Sequence, residues 1–573
     1  MIGGRPPAAV PHPAGAPARE LTCRALITGM AIGAVLTPTN IYSGLKIGWS
    51  FNLSITALLI AFAFWRPVAR LLRLPPWELH ESNINQTAAS AAASIISGGL
   101  VAPIPAYLLL TGDTLALAPL TAWVFSVSFL GVWVAWFLRA PMVGNPHLRY
   151  PVGIATAETL RDMFEHGREA LLRFWAMLAS LVGAAVFKLG SVYWWTLPRL
   201  VPSARLEQLT FGLDPSLMML GFGTLIGPRA GWSLLAGAVL AWGLVAPWLL
   251  AGGHVEAGGS AAGSAFQPLV GWLIWPGVSL MVAASITSIA CRPARRAALG
   301  RRPRLHFGWS VRGFVAAATL AVVLQVTLFG IGWFAAVLAI PVAFALAAVA
   351  ARVVGETGIP PIGAVGKVSQ LSFAAIAPGQ AVTNLMTANV AGGAAGQCAD
   401  LLNDFKAGAL VGATPWKQAA AQCGGILIGS VVGSAVFLAL IPEPSTQLLT
   451  AEWPAPAVAV WKAVAEALSL GFDSVPPAAR YAALAGAVAG CLLALAENRL
   501  GRWAAWLPSG ATLGLAFVIP ASTSMTLFVG ALAAHALQRR APRWSTRFLI
   551  ACAAGLIAGE SLLGVFISIA GLT

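Results

Sequence analysis

The stretch GWFAAVLAIPVAFALAAVAA, residues 332–351, runs for twenty residues without a charged side chain. A helix of about 20 apolar residues is long enough to cross the hydrocarbon core of a bilayer. Only helices and closed barrels satisfy backbone polar groups in lipid, and this run is continuous rather than alternating, so it predicts a transmembrane helix. The same pattern recurs along the chain and predicts repeated membrane crossings.

The composition agrees with membrane embedding of the whole chain. Of its 573 residues 58% are hydrophobic and 10% are charged, whereas a soluble domain carries about 25% charged residues. Candidate spans lie at 24–40, 50–65, 86–110, 115–138, 170–190, 229–251, 268–290, 312–330, 332–351, 418–441, 479–497, 511–537 and 547–571. Apolar pieces too short or too broken for a simple crossing lie at 151–164, 215–228, 371–396 and 453–470. We therefore predict an all-α polytopic membrane protein with about 13–16 transmembrane or re-entrant helices.

Arginines concentrate in short loops between the apolar runs. The formal net charge is +15, and three groups contribute much of it: Arg66, Arg70 and Arg73; Arg292, Arg295, Arg296, Arg301, Arg302 and Arg304; and Arg539, Arg540, Arg543 and Arg547. This placement follows the positive-inside rule and predicts that these loops face the cytoplasm. It favours membrane topology over nucleic-acid binding, and it leaves open a lipid-headgroup role for 292–304.

The segments suggest two repeat-related membrane halves. Residues 1–20, rich in Pro and Ala, predict a disordered cytoplasmic tail, followed by a membrane half at 21–291, a basic cytoplasmic linker at 292–311 and a second half at 312–573. GAVLTPTNIYSGLKIG (33–48) and GLAFVIPASTSMTLFVG (514–530) both place a proline ten residues before a closing glycine. Such internal similarity is typical of secondary transporters. Pro520 also leaves open a division of 511–537 into two elements.

A few ionisable side chains fall within or beside the apolar segments, where such groups are costly and usually functional. They are Lys46, Glu158, Glu356, Asp404 and Glu560. Each has a structural alternative, such as a pair between Glu158 and Arg161, an interfacial pair between Asp404 and Lys406, or snorkelling by Lys46. A carboxylate in apolar surroundings can take up and release a proton near neutral pH, which supplies a route for proton coupling.

The sequence gives little support to enzymatic or metal chemistry. The six cysteines contain no CxxC pair, the seven histidines lack metal-ligand spacing, and neither a Walker A motif nor HExxH is present. We therefore predict no enzyme activity, no resident metal and no cofactor.

Seven blocks, taken in order, resemble the oligopeptide transporter (OPT) family, which includes the yellow-stripe-like metal-chelate carriers. The blocks are LTPTNIYSGLKIGWSFN (36–52), ESNINQTAASAAASI (81–95), YPVGIATAETL (150–160), GFGTLIGPRAGWSLLAG (221–237), IPPIGAVGKVSQL (359–371), NDFKAGALVGATPWKQAAAQCGG (403–425) and LPSGATLGLAFVIP (507–520). The short loops look like the bacterial branch. The resemblance implies about sixteen transmembrane elements and secondary active, usually proton-coupled uptake of small peptides, glutathione-like molecules or metal chelates.

These expectations combine into a hypothesis of alternating access around a site near the middle of the membrane. Broken segments near 36–48, 83–98, 355–371 and 384–406 would line it. The substrate-binding candidates are Asn40, Tyr42, Lys46, Asn83, Gln86, Lys367, Gln370, Asn389 and Gln422. The proton-coupling candidates are Glu158, Glu356, Asp404 and Glu560.

Two other classes of function stay open at this point, an integral membrane enzyme acting on a lipid and a passive channel. The predicted partners are a small peptide or metal chelate, protons and membrane lipids, and a homo-oligomer is compatible with the sequence. The predicted location is the bacterial inner membrane, with the N-terminus in the cytoplasm. The sequence does not choose between peptide and metal–siderophore cargo.

Overall fold

A computed structural model describes residues 19–48, 50–145, 148–195, 200–201, 203–255, 265–291, 308–358, 360–471, 477–500, 504 and 506–571. Most of the predicted tail (1–18) and of the predicted linker (292–307) lies outside the described residues. Within the described ranges the chain is helical, and β pairing is confined to isolated bridges.

The helices alternate between long crossings and short apolar pieces. The first eleven are α1 Cys23–Ile47, α2 Ser54–Leu71, α3 Leu79–Ala93, α4 Pro103–Thr111, α5 Leu117–Val143, α6 Pro151–Glu165, α7 Gly167–Tyr193, α8 Ala204–Gln208, α9 Leu217–Ala238, α10 Ala246–Ala251 and α11 Phe266–Cys291. The others are α12 Trp309–Phe329, α13 Trp333–Thr357, α14 Ile362–Ile376, α15 Ala381–Val411, α16 Pro415–Leu440, α17 Pro444–Gln447, α18 Pro456–Leu470, α19 Pro477–Arg499, α20 Gly510–Leu515, α21 Ala521–Arg540 and α22 Pro542–Ile569. A 3₁₀ segment, Ser94–Gly98, follows α3, and a π segment, Val239–Val245, joins α9 to α10.

Twelve helical stretches in the described part of the chain are long and apolar enough to cross a membrane. They confirm the prediction of an all-α polytopic membrane protein. The piece at 371–396 contains a break, because α14 ends at Ile376 and α15 begins at Ala381, but α15 then continues as one helix of 31 residues. Its polar side chains lower its hydropathy, but most of them are buried against other helices rather than exposed to lipid.

Three of the helix breaks in the described ranges fall within or beside segments that the sequence predicts to be interrupted. Gly99, in the left-handed region with φ 118°, separates the Ser94–Gly98 segment from α4. The chain kinks at Gly227 within α9, where φ is 80° and ψ is 171°. The division expected at Pro520 is confirmed, since α20 ends at Leu515 and α21 begins directly after the proline.

Two of the segments expected to be broken are continuous. Residues 36–47 lie within α1, which carries Pro38 without ending, and 384–406 lie within α15. The two proline motifs at 33–48 and 514–530 therefore adopt different local structures. Helices from both sequence halves also interleave, since α9 packs on α21 and α7 packs on α22.

Glycines bring α3 into close contact with the helices on either side of it. Gly29 and Gly33 of α1 face the backbone of α3, and Gly425 and Gly429 of α16 face it as well. A Cβ at Gly429 would lie 2.6 Å from the Ala92 carbonyl oxygen and 2.7 Å from its Cα. Glycines four residues apart on α1 and on α16 thus allow close helix packing.

Gly429→Ala is therefore expected to destabilise the protein, by about 1–3 kcal/mol as for other overpacked cores. The neighbouring atoms belong to a backbone and cannot rotate away. Thermal unfolding of the purified protein in detergent measures the effect. Gly183→Ala is the matched control, because nothing lies within 4 Å of a Cβ built there. An equal melting temperature for the two variants would contradict the packing explanation.

Charged side chains tie several helix ends together at one end of the bundle, which we call the basic end. Arg24 pairs with Glu81 across the starts of α1 and α3. Arg161 donates to the carbonyl oxygen of Leu410 near the end of α15, and Arg547 pairs with Glu169 across the starts of α22 and α7. These contacts place the starts of four helices and the end of α15 at the same level.

Glu20 fixes the chain entering α1 to the start of α16. Its carboxylate accepts hydrogen bonds from the Thr414 backbone N–H at 2.8 Å and from the Thr414 hydroxyl at 2.7 Å, and Lys417 lies 3.3 Å away. Burial of the carboxyl opposes its charged form, but these hydrogen bonds and the ammonium prevail and lower the pKa of Glu20. Although residues 1–20 were predicted as a disordered tail, its last residue is held in place.

Glu20→Gln is expected to lower stability at neutral pH by about 0.5–2 kcal/mol, the range for lost capping interactions. Because the folded-state pKa is lowered, the contribution is present above the ordinary pKa of a glutamate and is lost as the pH falls through the lowered value. Melting curves of wild type and variant should therefore converge below about pH 4. Glu443→Gln, at an exposed position, is the control, and a pH-independent difference would refute the electrostatic account.

Candidate functional site

The helix α3 carries polar side chains into the interior of the bundle. Apart from its first residue, all of α3 is buried, including Asn83, Asn85, Gln86 and Thr87. It is placed there by the glycine contacts with α1 and α16, and α15 also packs against it. A polar helix buried among transmembrane helices presents its side chains to other side chains rather than to lipid.

A buried carboxylate, Asp404 of α15, faces this polar helix. Asp404 is only 4% exposed. The Nε2 group of Gln86 donates to Asp404 Oδ1 at 3.1 Å, and the Nε2 group of Gln418 donates to the Asp404 backbone carbonyl at 2.7 Å. Asp404 Oδ2 is buried and has no hydrogen-bond partner among the described residues. One carboxylate oxygen is thus engaged and the other is free.

Other polar atoms on α3 and α16, the two helices that donate hydrogen bonds to Asp404, are also buried without a partner in the described part of the chain. They include Asn83 Nδ2, Gln86 Oε1, Gln418 Oε1 and both side-chain polar atoms of Gln422. A polar group without a hydrogen-bond partner inside a membrane costs roughly several kcal/mol of free energy. The polar cluster formed by Asn83, Gln86, Asp404, Gln418 and Gln422 therefore calls for water, a proton or a ligand.

A second charged group, Lys367 of α14, is also buried and is only 4% exposed. Its Nζ donates to the Gly363 carbonyl oxygen at 3.3 Å within its own helix. No ion pair joins it to a described residue. A buried ammonium without a counter-ion is costly, so this position suits an anionic group of a ligand.

Amide groups lie next to Lys367 where α14 meets α15 and α18. The Nδ2 group of Asn384 donates to the Gln370 backbone carbonyl, and Gln370 Nε2 donates to the Trp461 carbonyl oxygen at 3.3 Å. The amide oxygens of Gln370 and Asn384 are buried and unpaired among the described residues. The ring of Trp461 packs against Gly366. Lys367, Gln370, Asn384 and Trp461 form the second cluster, which we call the lysine cluster.

Lys46 has a different environment, although the sequence suggested the same role. Its Nζ donates to the Glu452 backbone carbonyl at 2.6 Å and lies 3.9 Å from the Glu452 carboxylate. The ammonium also lies 4.4 Å from the ring centroid of Trp453, which packs edge-on against Tyr42. Lys46 and Tyr42 are thus engaged with the loop before α18.

Glu560 is buried but fully engaged. It is 5% exposed, its Oε1 accepts from the Ser216 hydroxyl at 2.8 Å, and its Oε2 accepts from the Met218 backbone N–H at 2.7 Å. Ser216 is the N-cap residue of α9. A carboxylate at a helix N-terminus is favoured by the helix dipole and the free N–H groups, so the geometry indicates a structural contact.

The other two carboxylates predicted for coupling lie on the surface. Glu158 is exposed, and the alternative pair with Arg161 is not formed, since Arg161 donates to the Leu410 carbonyl oxygen. Glu356 is exposed and pairs with Arg352 one turn earlier in α13 at 3.1 Å. The structure therefore does not bring the four predicted carboxylates together.

The remaining substrate-binding candidates lie in different parts of the structure. The Asn40 amide is hydrogen-bonded within the fold, since it donates to the Phe51 and Ala93 carbonyl oxygens and accepts from the Phe51 backbone N–H. Asn389 accepts from the Trp123 indole N–H at 2.9 Å and lies beside Gly99, at the break before α4. Gln86 binds Asp404, and Asn83 and Gln422 lie one turn from Gln86 and from Gln418 on the two helices that face it, whereas Gln370 lies on α14 with Lys367.

Sequence reasoning missed Gln418 and Asn384. Gln418 is one helical turn before Gln422, and this spacing on α16 is a signal that could have found it. Asn384 is the first residue of the segment 384–406, but it is not among the predicted substrate-binding residues. The structural alternative of a pair between Asp404 and Lys406 is not formed, because Lys406 donates instead to the Val143 carbonyl oxygen at 3.4 Å.

A bundle of long apolar helices with broken segments and buried charged side chains is the construction of polytopic membrane transporters. The family model described as OPT oligopeptide transporter protein matches residues 20–299 and 292–570 of this chain. The chain belongs to the OPT family, and it is a transporter rather than an enzyme.

Similar proteins occur in bacteria and plants. A Haemophilus influenzae protein named for oligopeptide transport is 26% identical, over 92% of this chain and 92% of its own length. The metal-nicotianamine transporter YSL2 of Arabidopsis thaliana is 22% identical, over 95% of this chain and 92% of its own length. The family predicted from the seven sequence blocks is therefore confirmed.

Proposed function

We propose that this protein is a proton-coupled symporter that imports small oligopeptides, glutathione-like peptides or metal chelates by alternating access. The names of its relatives support this range of cargo, since they refer to oligopeptides and to metal–nicotianamine complexes. Both kinds of cargo carry carboxylates and polar groups. No group of three or more metal-ligating side chains lies together in the described ranges, so a metal would cross as its chelate.

The observation that carries proton coupling is the half-engaged carboxylate of Asp404. A group that binds a proton in each cycle needs a position that a proton can occupy, and Asp404 Oδ2 offers one. Gln86 keeps the carboxylate oriented through Oδ1 in both protonation states. Glu560, by contrast, has both oxygens occupied by hydrogen-bond donors.

The lysine cluster supports recognition of a substrate carboxylate. Lys367 offers an unpaired ammonium, and Gln370 and Asn384 offer amide oxygens for N–H groups. Gly366 packs near Gly392 of α15, and Gly392 precedes Asp404 by 12 residues (404 − 392 = 12), or about 18 Å along a helix. The two sites thus share α15 without touching, so coupling requires a change in the position or packing of that helix.

The proposal includes an orientation and a two-part architecture. The basic end would face the cytoplasm of a bacterial inner membrane, with the N-terminus on the same side. The two matches of the family model meet within 292–299, inside the basic segment, which supports two related halves.

Uptake into proteoliposomes tests the proposal. Wild-type protein should accumulate a labelled di- to tetrapeptide, glutathione or a ferric chelate when an inward proton gradient is imposed, and uptake should saturate. A proton ionophore should stop accumulation but allow exchange. Unsaturable flux that ignores the proton gradient would favour a passive channel instead. The third class, a lipid-modifying enzyme, would show itself by chemical change of the liposome lipids.

A further inference from the structure

A pocket separate from both clusters opens at the basic end, where α2 meets α6 and α7. Its volume is about 610 Å³. Three arginines line it, Arg66 and Arg70 in the last turns of α2 and Arg73 just beyond that helix. Its other walls are largely apolar and include Phe62, Trp77, Met163 and Phe164. The sequence pattern by itself indicates only that these arginines are determinants of membrane topology.

The arginines of this pocket lack the partners that other arginines at the basic end possess. Arg24, Arg173 and Arg547 pair with carboxylates. None of the three pocket arginines forms an ion pair with a described residue. The Nη1 group of Arg66 is also buried without a hydrogen-bond acceptor in the described part of the chain. One carboxylate, Glu165, lines the pocket against three guanidinium groups, which leaves a formal charge of +2 (3 − 1).

The local backbone adds to this positive field. α7 begins at Gly167, which also lines the pocket, and the N-terminus of a helix carries a partial positive charge. A side chain at position 167 would collide with Arg66, because a Cβ there would lie 2.5 Å from Nη1. The absence of a side chain at Gly167 therefore leaves room for the Arg66 guanidinium.

We propose that this pocket binds a phosphate group. Guanidinium groups match the geometry of phosphate oxygens and bind them through paired hydrogen bonds. An unpaired buried N–H of Arg66 would gain an acceptor, and the excess positive charge would be neutralised. The phosphate can come from the headgroup of an anionic phospholipid or from a soluble phosphate compound, and both sources present the same chemistry.

The surroundings of the pocket favour the lipid source. Leu71 is 83% exposed and Leu72 60% exposed, directly beside Arg70 and Arg73. Exposed leucines followed by arginines are expected where a helix leaves the hydrocarbon region and enters the headgroup layer. A phospholipid could place its phosphate on the arginines and its glycerol and acyl carbons along the apolar walls.

Ligand binding to the purified full-length protein tests the proposal. Thermal unfolding in detergent would be followed while short-chain phosphatidylglycerol, phosphatidylcholine, glycerol 3-phosphate or inorganic phosphate is added. Native mass spectrometry would count retained phosphatidylglycerol. Wild type should be stabilised by phosphatidylglycerol more than by phosphatidylcholine. Arg70→Gln/Arg73→Gln, which changes exposed side chains, should bind it about tenfold or more weakly.

A matched variant distinguishes binding in this pocket from a general effect of positive charge on the protein. Arg539→Gln/Arg540→Gln removes the same charge from exposed positions at the end of α21 and should bind like wild type. Arginine-dependent stabilisation by glycerol 3-phosphate or phosphate alone would support the pocket and assign it to a soluble source. Equal binding by wild type and both double variants, or no preference for any phosphate compound over phosphatidylcholine, would overturn the proposal.

Discussion

Asp404→Asn is expected to abolish proton-driven accumulation of substrate while leaving exchange across the membrane intact. The amide can still accept the hydrogen bond from Gln86, but it cannot bind and release a proton. A potential of 100 mV is worth about 2.3 kcal/mol per charge, which corresponds to roughly 50-fold accumulation of a neutral substrate carried with one proton. Proteoliposomes containing the variant should instead reach equal concentrations inside and outside.

Comparison with the other carboxylates makes this prediction specific. Glu158→Gln and Glu356→Gln alter exposed side chains and should accumulate substrate as wild type does. Glu560→Gln should lower the melting temperature but leave proton-driven accumulation largely intact, since Glu560 binds the N-terminus of α9. If the Asp404 variant still concentrates substrate while Glu158→Gln does not, the coupling residue has been misassigned.

Lys367→Gln is expected to weaken binding of substrates that carry a carboxylate. A hydrogen bond to a charged group contributes about 1.5–3 kcal/mol, so the apparent KM should rise by roughly 10- to 150-fold. The measurement is concentration-dependent uptake of one peptide as its free acid and as its C-terminal amide. Wild type should have a lower apparent KM for the free acid than for the amide, and the variant should have similar apparent KM values for both.

Lys462→Gln is the matched control for this measurement. Lys462 belongs to the neighbouring helix α18, but it pairs with Glu466 at 2.6 Å and is not isolated. It should keep the preference for the free acid. If the Lys367 variant retains that preference, the carboxylate is recognised elsewhere, and Lys46 becomes the next candidate.

These two predictions depend on distinctions that the sequence did not contain. It proposed four carboxylates for coupling and placed two lysines, Lys46 and Lys367, among the substrate-binding candidates. Asp404 differs from Glu560 only in what surrounds it, since the partners come from α3 in one case and from α9 in the other. Lys46 and Lys367 differ in the same way, because Glu452 approaches only the first.

The apolar runs by themselves determined that this chain folds as transmembrane helices. In lipid only helices and closed barrels satisfy the backbone hydrogen bonds, and the apolar runs are continuous rather than alternating, so their length and pattern were sufficient. The ordered blocks likewise indicated the family. The bounds of α15 and the positions of the helix breaks were harder to predict from the sequence, because polar residues packed inside the bundle look like interruptions of an apolar run. Whether a buried charge is paired or free was decided only by tertiary structure, because its partners lie on helices far away in the sequence.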